Sequence, residues 1–115
     1  MIKVNECREQ IDENNRIIAS LTRSGLSYKA GVLREVNTIL DEIINDYAEI
    51  NRISNDDTIT IEKKVEDTQK IKQKIKEKTE KIKILKKYGE LIAENEIEIA
   101  KLRASTEKQV RFIIN

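Results

Sequence analysis

The amino-acid sequence predicts an all-α protein: a long antiparallel helical hairpin, or coiled coil, of three helical segments, of which the third is much the longest. Isoleucine accounts for 20 of the 115 residues and recurs at helical spacing. The chain has no proline and only three glycines, so few positions interrupt a helix. No run of alternating apolar and polar residues is long enough to indicate a sheet. We expect a single domain whose core is completed by oligomerisation or by a partner.

The first helical segment is predicted over about residues 3–23. Its apolar side chains occupy a and d positions of consecutive heptads, at Val4, Cys7, Ile11, Ile18 and Leu21. Asn14 occupies the remaining d position, where it either fixes the register of a helix pair or is tolerated near a solvated edge. Cys7, which lies near Glu6 and Glu9, is expected to be a small buried residue rather than a reactive thiol.

Residues 23–31 contain two of the three glycines and leave two possibilities open. Either the first helix ends near Ser24 with Gly25 in the left-handed conformation, or the helix continues through a weak stretch. The second helical segment is predicted over about residues 32–53, where ten large apolar side chains form a stripe wider than one heptad seam. A stripe of this width predicts that the second helix contacts two neighbours.

Residues 54–58, with the sequence Ser-Asn-Asp-Asp-Thr, form the clearest turn in the chain. We expect Asp56 and Asp57 to cap the following helix rather than to bind a cation, because the residue pattern of a calcium loop is missing. The third helical segment is predicted over about residues 59–113, with one heptad column at Ile71, Leu85, Ile92, Ile99 and Ile113. Gly89 interrupts the adjacent column, where the helix either bends or changes neighbours.

The predicted lengths favour a hairpin of two long arms over a bundle of three equal helices. At about 1.5 Å per residue the third segment is roughly 80 Å long, and the first two are roughly 30 Å and 35 Å. If the first two helices lie end to end, they match the third in length. Residues 32–57 carry seven acidic and two basic residues, whereas residues 59–88 carry eleven lysines and five acidic residues. These opposite charges favour pairing of the two segments across the turn.

The residue types that are missing exclude most catalytic chemistry. With no histidine and one cysteine, the chain cannot supply a usual zinc site, a Ser–His or Cys–His nucleophile pair, or the ligands of a helical di-iron centre. Glycines at positions 25, 31 and 89 alone cannot form the loops that bind nucleotides. We therefore expect no enzymatic activity, no cofactor and no metal. Because no apolar run approaches the about 18 residues of a membrane span and one cysteine cannot form an internal disulfide, we expect a soluble, cytoplasmic chain.

These observations predict a non-enzymatic coiled-coil protein–protein interaction module: a structural subunit of an assembly, an adaptor, or a small chaperone or regulator. We expect its partner to be another protein or further copies of the chain, with a dimer favoured. The expected partner-binding residues follow the apolar columns of the second and third helices: Val36, Ile39, Ile43, Tyr47, Ile50, Ile82, Leu85, Ile92 and Ile99.

Charge and the C-terminus allow further interpretations. An antiparallel dimer centred near Ile84 would place acidic residues 90, 94 and 98 opposite basic residues 70, 74 and 78, although we favour the interpretation that both columns are solvated faces. The alternative function is non-specific nucleic-acid binding through the lysine-rich residues 63–87, against which count the absence of arginine and the interleaved acidic residues. Residues 110–114 are too few to anchor in a membrane, and we expect them to pack against the first helix or a partner.

Overall fold

The computed structural model describes the backbone of residues 2–114 and the side chains of residues 2–106. Within residues 2–114 the chain forms three helices, α1 (Val4–Arg23), α2 (Ser27–Ser54) and α3 (Ile61–Ile114), and no strand. The molecule is elongated, with extents of 81 Å by 20 Å by 16 Å. The predicted all-α hairpin with a much longer third helix is confirmed. The packing expected of side chains 110–114 lies outside the described residues, and completion of the core by another chain stays a prediction.

α1 ends in a Schellman motif, a hydrogen-bonded helix end built around a left-handed residue. Gly25 has a φ of 78°, which a residue with a side chain would adopt only under strain. The Leu26 N–H donates to the Leu21 carbonyl at 2.9 Å, and the Gly25 N–H donates to the Thr22 carbonyl at 3.2 Å. The first helix therefore ends at the first glycine instead of continuing, and α2 begins at Ser27, five residues before the predicted start.

The connection formed by residues 24–26 reverses the chain, so that α1 packs antiparallel along α2. At one end of the pair the Tyr47 hydroxyl donates to the Ile2 carbonyl at 2.5 Å. Nearer the middle the Nδ2 of Asn14, a residue only 5% exposed, donates to Oδ1 of Asn37 at 2.9 Å. The predicted end-to-end arrangement of the first two helices is wrong, because Gly25 allows the chain to turn back and bury the apolar face of α1 on α2. The buried amide pair favours the register-fixing role for Asn14.

α2 occupies the centre of the fold and contacts both α1 and α3, as its wide apolar stripe predicts. The main core cluster draws side chains from all three helices: Cys7, Val36, Ile39, Leu40, Ile43, Ile75 and Ile82. A smaller cluster lies at the α1–α2 turn and contains Ile18, Ala30 and Leu33. Burial of Ala30 against this cluster stabilises the additional first turn of α2, which explains its early start.

Gly89 allows α3 to approach α2 closely. A Cβ atom built at this position would lie 3.2 Å from Cγ1 of Val32, which is tighter than ordinary van der Waals contact. The glycine that interrupts a heptad column in the sequence is therefore a contact point between two helices.

The turn between α2 and α3 is capped differently from the sequence prediction. Thr60 precedes α3, and its hydroxyl accepts a hydrogen bond from the Lys63 N–H at 3.2 Å, as an N-cap residue does. Asp56 Oδ1 instead accepts hydrogen bonds from the Thr58 hydroxyl at 2.5 Å and from the Thr58 N–H at 2.9 Å, which stabilises the turn itself. The bond from the hydroxyl, and after it the bond from the N–H, lowers the pKa of the Asp56 carboxyl. The threonine takes the cap because it, and not either aspartate, directly precedes the first helical residue.

Among the described side chains, one lysine carries the ion pairs that join α2 to α3. Lys78 Nζ lies 2.6 Å from Oδ2 of Asp46 and 3.9 Å from Oε2 of Glu42. Lys78 and Asp46 are both partly buried, so solvent screens this pair less than it screens an exposed pair. The opposite charges of residues 32–57 and 59–88 therefore form ion pairs only around Lys78 among the described side chains. Apolar burial supplies most of the attraction between α2 and α3.

Candidate protein-binding surfaces

The structure places most of the predicted partner-binding residues inside the chain itself. Four of them are buried: Val36, Ile39, Ile43 and Ile82. Tyr47, Ile50 and Leu85 are partly buried against the main core cluster, and Ile92 is half-buried. They contact other helices of the same chain because α1 folds back on α2. α1 thereby covers part of the apolar surface for which the sequence predicted a partner. Of the nine residues, Ile99 alone is largely exposed, at 48%.

α3 extends well beyond the other two helices. The last contact with the start of α2 is made by Glu96, whose Oε1 accepts a hydrogen bond from the Tyr28 N–H at 3.1 Å. This carboxylate lies at the N-terminus of α2, where the helix dipole and unpaired N–H groups favour negative charge and where α2 has no side-chain cap of its own. Glu96 lies seven residues after Gly89, in the same heptad column, where it makes this contact in place of an apolar residue.

We call residues 97–114, the part of α3 beyond that contact, the overhang. It is 18 residues long, or roughly 27 Å. All its described side chains, residues 97–106, are exposed. Ile97, Ile99 and Leu102 are among them, so the overhang presents apolar groups that the chain does not cover.

A second apolar stripe follows the face of α3 that points away from α2. We call it the outer stripe, and it consists of five side chains that are between 48% and 67% exposed: Ile84, Tyr88, Leu91, Ile99 and Leu102. At about 100° per residue, Ile84 lies on the helix face opposite Ile75 and Ala93, which are buried. The spacing from Ile84 to Tyr88 to Leu91 is four and then three residues, which is the spacing of a coiled-coil seam. α3 therefore carries one seam that is packed and one that is open.

A groove lies between α1 and α3, with Val32 and Leu33 of α2 among its lining residues. Its volume is about 300 Å³. Lys86 Nζ donates across it to Oε1 of Gln10 at 3.2 Å, which ties α3 to α1. Six of its ten lining residues are polar or charged, whereas all five residues of the outer stripe carry large apolar side chains.

Four of the eleven lysines in residues 63–87 form ion pairs with acidic side chains. Lys63 lies 3.2 Å from Asp67 and Lys70 lies 3.1 Å from Glu66, each one helical turn away. The hydrogen bond that Lys63 donates to Asp67 raises the pKa of Lys63. Lys78 is held by α2, as described above. The acidic residues that interleave with the lysines in sequence thus reduce the charge available to a polyanion.

The remaining features give no indication of chemistry. Within the described residues, no group of three or more cysteine and acidic side chains could hold a metal ion. None of the helices there is both long and apolar enough to cross a membrane. Cys7 is fully buried, and burial raises the pKa of its thiol, which disfavours the reactive thiolate.

Comparison of the chain with protein-family models, with curated proteins and with solved structures finds no match.

Proposed function

We propose that the chain is a non-enzymatic coiled-coil protein–protein interaction module, acting as a structural subunit, an adaptor or a small chaperone or regulator, and that it docks through the outer stripe of α3. The observation that carries the proposal is the open seam of that helix. Single exposed apolar side chains are ordinary on protein surfaces, whereas several of them at coiled-coil spacing on one face of a helix mark a surface that another helix covers. Covering it gains about 25 cal/mol for each Å² of apolar surface removed from water.

A cytoplasmic location is part of the proposal. It is supported by the buried, unpaired thiol of Cys7, which suits a reducing compartment.

The experiment is affinity capture of the tagged chain from its native cells, with nuclease and moderate salt in the wash. Three forms are compared: the wild type, a stripe variant (I84Q, L91Q and L102Q) and a control variant (K72Q, K74Q and K76Q). All six sites are exposed on α3 and glutamine suits a helix, so both variants should remain folded. We expect a stoichiometric protein partner, which includes untagged copies of the chain, with the wild type and the control variant but not with the stripe variant.

Two results would contradict the proposal. Retention of the partner by the stripe variant would show that docking uses another surface. Loss of the bound material on nuclease treatment, or its loss from the control variant alone, would favour nucleic-acid binding through the lysines, since phosphate contacts weaken steeply with salt.

A further inference from the structure

Resting on the proposed function, we infer that the partner of the outer stripe is a second copy of this chain, docked antiparallel through α3 with the two-fold axis between Gly89 and Glu90. The inference follows from charged side chains on either side of the stripe and within it. These side chains match each other in one register and repel in the neighbouring ones.

The outer stripe defines the heptad of the open seam, with Tyr88 at an a position and Leu91 at a d position. The g positions that flank the seam are then Glu80, Lys87, Glu94 and Lys101, all exposed and alternating in sign every seven residues. In an antiparallel pair the g positions of both helices lie on the same side of the seam, so they face each other. With the axis between residues 89 and 90, Lys87 faces Glu94 of the second copy, and Glu80 faces Lys101.

The same register also matches the residues inside the seam. It forms four kinds of layer, and the two-fold axis repeats each of them: Tyr88 with Leu91, Ile84 with Asn95, Lys81 with Glu98 and, at the two ends, Glu77 with Leu102. The two central layers, of Tyr88 with Leu91, are apolar, and the layers of Lys81 with Glu98 join opposite charges near the rim of the contact, where water reaches both groups. At the e positions, Leu85 faces Ile92, which covers the partly exposed sides of both residues.

Other arrangements place like charges together. A shift by one heptad in one direction brings Lys87 opposite Lys101 and brings Glu94 opposite its own copy. A shift in the other direction brings Lys87 opposite its own copy and Glu80 opposite Glu94. A parallel pair in register would stack Lys81 on Lys81 and Glu98 on Glu98 within the seam. Like charges in direct contact disfavour each of these arrangements, so among them the charge pattern favours the register centred between Gly89 and Glu90.

The contact is open and of modest size. It would extend along residues 77–102 on the face of α3 away from α2, and is therefore roughly 39 Å long and about 10 Å wide on each copy. This area is below the about 800 Å² that each partner buries in a standard specific interface, so we expect a weak dimer that forms in the micromolar range and dissociates on dilution. Glu80 and Lys101 now pair with exposed neighbours on their own helix, and such pairs exchange at little cost.

Disulfide trapping tests the register. The variants I84C and N95C are mixed and oxidised, each with a different tag, and native Cys7 stays in place because it is fully buried. The mixture should give a cross-linked heterodimer, whereas neither variant alone should cross-link, because its own two copies of the thiol lie about 16 Å apart along the helices. The mixture of I84C with L102C is the matched control, since it cross-links only in a register displaced by one heptad.

Charge exchange tests the pairing independently. K87E should weaken dimerisation about tenfold in sedimentation equilibrium, because two attractive pairs become repulsive, and E94K should do the same. The double variant K87E/E94K restores both pairs with the charges exchanged and should dimerise as the wild type does. K72E, an exposed reversal on the same helix outside the contact, should leave dimerisation unchanged.

The outcomes separate this inference from the proposed function. Cross-linking of I84C with L102C, or failure of the double variant to recover, would overturn the register. A chain that stays monomeric up to about 500 µM would overturn the second copy as the partner. In that case, capture of a different protein by the wild type and not by the stripe variant would still uphold the interaction module. Unchanged capture by the stripe variant would refute both.

Discussion

Replacing Ile43 with alanine tests whether the three helices share one core. Ile43 is fully buried in the middle of α2, in the cluster that contains Cys7 of α1 and Ile75 of α3. The substitution removes three carbon atoms, worth about 2.4 kcal/mol in transfer free energy, and leaves a cavity, so the expected loss is about 3–4 kcal/mol. For a chain of this size that loss lowers the melting temperature by about 10–15 °C.

The assay is urea unfolding followed by far-UV circular dichroism, at a protein concentration below the range in which the inferred dimer would form. Ile61→Ala is the matched control, because it deletes the same atoms from a side chain that is 76% exposed. It should change the free energy of unfolding by no more than about 0.5 kcal/mol. If Ile43→Ala costs no more than the control, the shared three-helix core is refuted.

Three further predictions use the same unfolding assay. Gly31→Ala should stabilise the chain by about 0.5–1 kcal/mol, because a Cβ atom at this position has no other atom within 4 Å. Gly89→Ala should stabilise it less or destabilise it, since its Cβ would lie 3.2 Å from Cγ1 of Val32, and equal stabilisation by the two substitutions would contradict this close contact. Asn14→Ala should lower the free energy of unfolding by about 1 kcal/mol, because it removes the partly buried hydrogen bond between α1 and α2. An unchanged free energy of unfolding would show that the pair of amides does not stabilise the fold. Burial raises the pKa of Cys7, so the contribution of its thiol to the free energy of unfolding is complete below the unfolded-chain pKa of about 8.5 and is lost as the pH rises through the folded value. Between about pH 8 and 10 the free energy of unfolding should therefore fall more in the wild type than in Cys7→Ala, and parallel curves of free energy against pH would contradict this.

The helices themselves follow from local sequence, and this part of the fold was predictable. Isoleucine at helical spacing and the absence of proline indicate where the helices run, and an end of α1 at Gly25 was one of the two possibilities that the sequence left open. The direction of α1 was not predictable, because an apolar helix face specifies that it must be covered but not by which helix. That choice depends on contacts between distant residues, such as the hydrogen bond from Asn14 to Asn37.

Apart from Ile99, the residues of the outer stripe were missed for a related reason. The heptad column expected from the sequence contains Leu85 and Ile92, which border the packed seam, and Ile99, which lies on the outer stripe. The spacing of Ile84, Tyr88 and Leu91 was present in the same sequence, and a search for a second seam would have found it. Glu96 could not be recognised in this way, because the helix end it contacts is 68 residues away in the chain.

The length of α3 connects the fold to the inferred dimer. Because α1 folds back on α2, these two helices cover α3 only as far as Glu96, and the described side chains of the overhang, residues 97–106, are exposed. In the inferred register, residues 97–102 of one copy lie against residues 77–82 of the other, which belong to the part of α3 packed on α2. The first six residues of each overhang thus lie against α3 of the second copy and not against the other overhang. An unsupported helix of this length is only marginally stable in water, so association should raise the helical content as well as the mass. We expect the helical ellipticity of the wild type to rise with protein concentration, and that of K87E to rise less. Ellipticity that does not depend on concentration while the mass doubles would show that dimerisation does not stabilise the overhang.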